Sequence, residues 1–218
     1  LRRVIMISIV ALGLWLVPRS AKAGAEAECN HAIQEASKTT GVSEALLSAV
    51  AKVETGRTVN SELEPWPWAI NIRGIGQWFD NEAELLEIAL EQVSKGETSF
   101  DVGCFQLNYR WHGHAFASLD AMLSPSSNAL YAAKFLKSLY DEFENWDEAI
   151  GAYHSRNEVR ALAYRGKVEA QYRKKSPTKL ATSSKTHASL NPRKNSYPLL
   201  RASTGRIALG SLMPRAED

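Results

Sequence analysis

Apolar residues return along most of the chain at three- and four-residue intervals, and glycine, proline or asparagine breaks the pattern repeatedly. That period predicts a succession of short helices. Ala27 to Ser37 is amphipathic and Gly41 ends it; a second helix begins at Ser43, a candidate N-cap, with Val42 and Leu47 at hydrophobic-staple positions. Leu46, Leu47, Val50 and Val53 form its apolar stripe, and Ala45, Ala49 and Ala51 allow a neighbouring helix to approach closely. Gly56 stops this helix and leaves Glu54 at its far end.

Between Glu64 and Asn81 the period changes. Pro65-Trp66-Pro67-Trp68 restricts the backbone, and Ala69 to Ile72 and Gln77 to Phe79 flank Arg73-Gly74-Ile75-Gly76, which predicts a small hairpin. Trp66, Trp68 and Trp78 exceed what such a hairpin buries by itself, so they either pack onto the helical body or line a groove as stacking surfaces. Asn81 with Glu84 forms a capping box before a helix that Gly96 closes, and a further helix runs from about Asn128 to Phe143. Asn145 with Glu148 opens another, and Asn157 caps a last helix reaching Tyr172. The predicted class is mostly α with a small β-hairpin insertion.

Charge divides the chain. Residues 24–173 carry 13 Lys and Arg against 22 Asp and Glu, whereas residues 174–218 carry 9 against 2, so the overall +2 describes neither part. The basic segment, rich in Ser and Pro and without a sustained apolar period, reads as a disordered tail suited to an anionic envelope polymer or a partner surface. At the other end, Arg2 and Arg3, the apolar run Val4 to Val17 and the small residues around Ala21, Ala23 and Ala25 have the layout of a secretory signal over residues 1–23. The apolar run is 14 residues, short of the roughly 20 that span a bilayer, so no stable membrane span is expected after cleavage. Export predicts a periplasmic or cell-envelope location and makes Cys29 and Cys104 a candidate disulfide, with two free thiols as the alternative.

The five histidines form no His-x-x-x-His pair, and the glycines form no dinucleotide or phosphate loop, so neither a metal nor a cofactor is expected. There is no Gly-x-Ser-x-Gly elbow, and the acidic body lacks any nucleic-acid-binding motif. Glu54, at the end of an apolar helix, reads by itself either as an ordinary surface or helix-end carboxylate or as a sheltered carboxyl able to hold a proton near neutral pH, and Asp101 stands two residues before Gly103.

Ala49-Val50-Ala51-Lys52-Val53-Glu54-Thr55-Gly56 resembles the catalytic-helix end of soluble-type lytic transglycosylases, an alanine-rich helix finishing in Glu-Ser/Thr-Gly. Gly103-Cys104-Phe105-Gln106-Leu107-Asn108 is similar to that family's Gly-x-x-Gln segment, and Ala152-Tyr153-His154-Ser155 stands where its Ala-Tyr-Asn-x-Gly pattern falls. His154 replaces the usual asparagine, and Ser155 and Arg156 replace the residues leading to the glycine. The interval from Glu54 to Gly103 is also long, because the tryptophan hairpin and a helix intervene.

The resemblance implies a lysozyme-like domain over residues 24–173 that cuts peptidoglycan glycan strands, with Glu54 as acid and then base and a 1,6-anhydromuramoyl product. It implies that Gln106 and Tyr153 orient the reaction; Gly103, Phe105, Asn108 and His154, the last carried over only as a position, are substrate-binding candidates, as are Trp66, Trp68 and Trp78 if they line the groove. A hydrolytic muramidase using Glu54 and Asp101, and a nonenzymatic peptidoglycan-binding protein of envelope assembly, are the alternatives. A component of an envelope-spanning machine is a further possible partner role.

Overall fold

The computed structural model describes residues 24–175. The signal segment and the basic tail beyond residue 175 therefore lie outside the described residues. Helix α1 (Ala25–Thr40) packs along α6 (Pro125–Phe143); α7 (Trp146–His154) lies between α6 and α8 (Glu158–Lys175); and α8 crosses α2 (Glu44–Thr55). Leu47, Val50, Ile33, Ala132, Leu136 and Ala149 fill the core between these helices, each at most 1% exposed. The small residues α2 contributes, Ala49 and Ala51, are buried with them and permit the close approach.

Side-chain caps explain where several helices start. Asn81 accepts from the Glu84 amide before α3 (Glu82–Ser94) at 3.0 Å, Asn145 accepts from the Asp147 amide before α7 at 2.8 Å, and Asn157 accepts from the Arg160 amide in α8 at 3.1 Å. Ser43 differs from expectation. It occupies the N-cap of α2, but its side chain makes no capping hydrogen bond; its carbonyl takes the Leu47 amide, and buried Val42 and Leu47 hold the entry by packing.

The β component is larger than one hairpin. Strands β1 (Arg57–Val59) and β2 (Glu62–Glu64) form a two-stranded ribbon. Strands β3 (Ala69–Ile72), β4 (Ile75–Trp78), β5 (Phe100–Val102) and β6 (Leu107–Asn108) form an antiparallel sheet in the order β4-β3-β5-β6. Strands of two to four residues are too short for a period of two to show in the sequence. The predicted hairpin is β3–β4, closed by Arg73 and Gly74, both with positive φ as a two-residue primed turn requires. The Asn71 side chain accepts from the Gly74 amide at 2.9 Å and fixes that turn.

Three short elements, α4 (Tyr109–His112), a 3₁₀ turn (Gly113–Ala115) and α5 (Leu119–Leu123), carry the chain from β6 to α6. Cys29 of α1 is disulfide-bonded to Cys104 in the β5–β6 connection, with Cα atoms 5.9 Å apart. The bond pins the Gly-x-x-Gln segment to the helical body. Among the described residues no helix is long and apolar enough to cross a membrane.

Candidate active site

Three segments far apart in sequence meet at the end of α2. The first is the helix end itself. The Thr55 hydroxyl lies 3.1 Å from the Cys104 carbonyl and 3.2 Å from the Ala51 carbonyl, and it accepts the Trp66 amide at 3.1 Å. One buried hydroxyl thus joins the glutamate helix, the tryptophan segment and the Gly-x-x-Gln loop. Trp78 adds a second tie, its indole N–H donating to the Thr55 carbonyl at 3.2 Å.

The second segment is the β5–β6 turn, residues 103–106. Gly103 has φ +79°, and a Cβ there would stand 2.5 Å from the Asn128 amide nitrogen, so both backbone angle and space require glycine. Asn128, fully buried on α6, accepts from the Phe105 amide at 3.0 Å and donates to the Val102 and Met122 carbonyls at 3.1 and 3.2 Å. Gln106, also at positive φ, donates its amide N–H groups to the Ala69 and Gly103 carbonyls, each at 3.2 Å. Its amide nitrogen therefore braces backbone.

The third segment is α7 and α8. Tyr153 is fully buried, packs on Phe135 and donates its hydroxyl to the Phe105 carbonyl at 3.0 Å. The residue that reaches the carboxyl is a different tyrosine: Tyr164 of α8 donates to Glu54 Oε1 at 2.5 Å. Tyr153 lies on the inward face of α7 and faces the loop, whereas the crossing of α8 over α2 brings Tyr164 to the helix end. His154 stacks flat on Tyr164, ring centroids 4.5 Å apart and planes within 2°.

Several residues expected against substrate lie inside the protein. Phe105 and Asn108 are 1% and 0% exposed, Gly103 is buried, and Trp66 and Trp68 are each 8% exposed. The cause is local. Asn108 faces Asp101 across the β5–β6 ladder and donates to its carboxyl at 2.9 Å, while Trp66 donates its indole N–H to the Phe79 carbonyl at 2.7 Å under the Arg57 guanidinium. Trp78 alone of the three tryptophans keeps an open face, at 49% exposure.

Beside Tyr164 a cleft of about 370 Å³ opens between the β3–β4 hairpin and α8, lined by Asn71, Arg73, Asp101, His154, Arg160 and Lys167 among others. Its electrostatics follow from burial. The Glu54 residue keeps part of its surface in solvent, but its carboxyl is enclosed; desolvation lifts its pKa to about 7 against the opposing pull of the Tyr164 hydroxyl and the Lys167 charge. Desolvation lifts Asp101 to about 8, with the Asn108 hydrogen bond opposing and the Glu54 charge adding to the rise. Burial and the Glu54 charge hold the Tyr164 hydroxyl well above its ordinary range, so it stays a proton donor to the carboxyl. The arrangement is an acid that exchanges protons near neutrality, a second carboxyl kept mostly neutral, and a donor fixed on the first.

Sequence reasoning passed over Tyr164 and Asn128. Asn128 is a lone polar residue among Ala129, Ala132 and Leu136 on the buried face of α6, and a polar group on such a face signals a buried hydrogen-bonding task. Tyr164 falls with Val168 and Tyr172 at four-residue steps on α8, a stripe that reads as packing alone.

The family model described as Transglycosylase SLT domain matches residues 31–174. No curated protein and no solved structure matches the chain.

Proposed function

The chain belongs to the transglycosylase SLT family, lysozyme-like domains whose substrate is peptidoglycan, and we propose that it cleaves the β-1,4 bond from N-acetylmuramic acid to N-acetylglucosamine with Glu54 as the only catalytic carboxyl. The observation that carries this reading is the hydrogen bond from Tyr164 to a Glu54 carboxyl poised near pH 7. Protonated Glu54 gives its proton to the leaving glycosidic oxygen as the C1–O bond breaks. The substrate's own acetamido group stabilises the charge developing at C1. The muramic acid C6 hydroxyl then attacks C1, its proton returns to Glu54, and the strand ends in a 1,6-anhydro ring with no water consumed.

Tyr164 holds the carboxyl in line and stabilises the anion between the two proton transfers. Asp101 argues against the hydrolytic alternative. Its pKa of about 8 keeps it mostly protonated at neutral pH, where it is a poor base for water and a poor nucleophile. The Gln106 and Tyr153 hydrogen bonds support the wall beside the reaction and act on its geometry, not on protons. A peptidoglycan substrate fits a periplasmic or cell-envelope site of action.

Glu54→Gln tests the assignment. The amide keeps the shape of the side chain but cannot cycle a proton, so turnover of purified peptidoglycan falls by about 10³-fold or more while strand binding persists. Turnover by E54Q near the parental rate removes Glu54 from the reaction.

A further inference from the structure

The cleft beside Glu54 carries a charge opposite to that of its own domain. Residues 24–173 have a net charge of −9, yet three cations, Arg73, Arg160 and Lys167, meet around this one opening. Arg73 pairs with Glu97. Arg160 and Lys167 form no ion pair among the described residues.

Both lie on α8, seven residues apart and so on one helical face, with Tyr164 between them. Asp101 is the one carboxyl among the residues that line the cleft, lifted by burial to about 8, and Glu54, bonded to the lining Tyr164, is lifted to about 7, so at neutral pH neither carries a full charge against the two cations. The opening is thus net positive at the point where the glycan would pass, and acetamides and hydroxyls, the polar groups of an uncharged chitin-like chain, provide no counterpart. The muramoyl residue does, because its 3-O-lactyl substituent ends in a carboxylate when free and carries the carboxylates of a stem peptide when substituted.

We propose that Arg160 and Lys167 form a carboxylate-binding subsite that takes the acidic group borne on the lactyl ether of a muramoyl residue. The inference rests on the peptidoglycan reading above and deepens it, since it selects muramoyl strands over uncharged amino-sugar chains. Arg160 is half-buried and its planar guanidinium suits bidentate pairing with a carboxylate; Lys167, more exposed, adds attraction that salt screens.

The test is a binding cycle in the E54Q protein, so that strands are not consumed. Four ligands are compared: strands with intact stem peptides, the same strands stripped by an amidase to leave free lactyl carboxylates, and each of these after methylamidation of every carboxylate. Methylamidation should weaken binding to the E54Q protein about 10-fold, and R160Q or K167Q in the same background should weaken binding to carboxylated strands by about the same factor. The variants should be indifferent to methylamidation. Coupling on stripped strands alone assigns the free lactyl carboxylate, coupling on stem-bearing strands alone assigns the stem-peptide carboxylates, and coupling on both shows that the subsite takes either.

Variants that bind carboxylated and methylamidated strands with equal losses, or with no loss, overturn the subsite. Circular dichroism and thermal unfolding of each variant separate a binding loss from misfolding. The cycle reads binding alone, so failure of the parental protein to cut peptidoglycan would count against the proposed reaction and leave the coupling result standing.

Discussion

A carboxyl with a pKa near 7 is half protonated at neutral pH, and the two halves of the proposed cycle need those two states in turn. The elevation has a cost in stability. Between the ordinary 4.5 and about 7 the folded protein retains a proton that the unfolded chain has released, so stability falls as pH rises through that window and stays lowered above it. E54Q should therefore be more stable than the parent at pH 8, by on the order of 2 kcal/mol because partial solvent contact discounts the full shift, and the difference should vanish below pH 4.5. Urea unfolding at the two pH values measures this, and a pH-independent difference contradicts the buried-carboxyl account. Tyr164→Phe removes a hydrogen bond that favours the ionised form while the ring remains to stack on His154. The alkaline limb of its pH–rate profile should move upward and its turnover should fall about 10-fold; an unmoved profile means that the hydroxyl does not act on Glu54.

At the scale of elements, the helices were legible because their signals are local. Asn81, Asn145 and Asn157 cap where a polar residue precedes an apolar run, and the β3–β4 turn forms where Arg73-Gly74 interrupts two short apolar segments. Elements that exist only through partners were not legible. Strand β5 holds its shape by pairing Ile70 with Val102 and Asn71 with Asp101, and β6 has only two residues. The β5–β6 turn depends on Asn128, more than twenty positions away, filling the space that a side chain at position 103 would need. Gly103→Ala should lower stability by about 2–4 kcal/mol, the combined cost of a left-handed alanine and a displaced Asn128. Parental stability in that variant would mean that the loop is not braced as described.

For the whole molecule, the motifs around Glu54, Gly103 and Tyr153 identified the family, but the working arrangement comes from how distant helices cross. The Tyr164 to Glu54 bond joins positions 110 residues apart, and no spacing rule in a single sequence announces that α8 will lie over the end of α2. Burial was open for the same reason. Of the two alternatives for the tryptophans, packing on the body holds for Trp66 and Trp68, while Trp78 keeps an open face; the sheet and the Cys29 to Cys104 disulfide enclose Phe105 and Asn108, which the sequence offered as glycan contacts. The central claim, one carboxyl acting alternately as acid and base without a water nucleophile, leaves its mark on the product. Digestion of purified peptidoglycan followed by mass analysis of the released strands, before and after borohydride, reads it directly. The account predicts 1,6-anhydromuramoyl ends that resist reduction, and reducing muramic acid ends heavier by one water would contradict it.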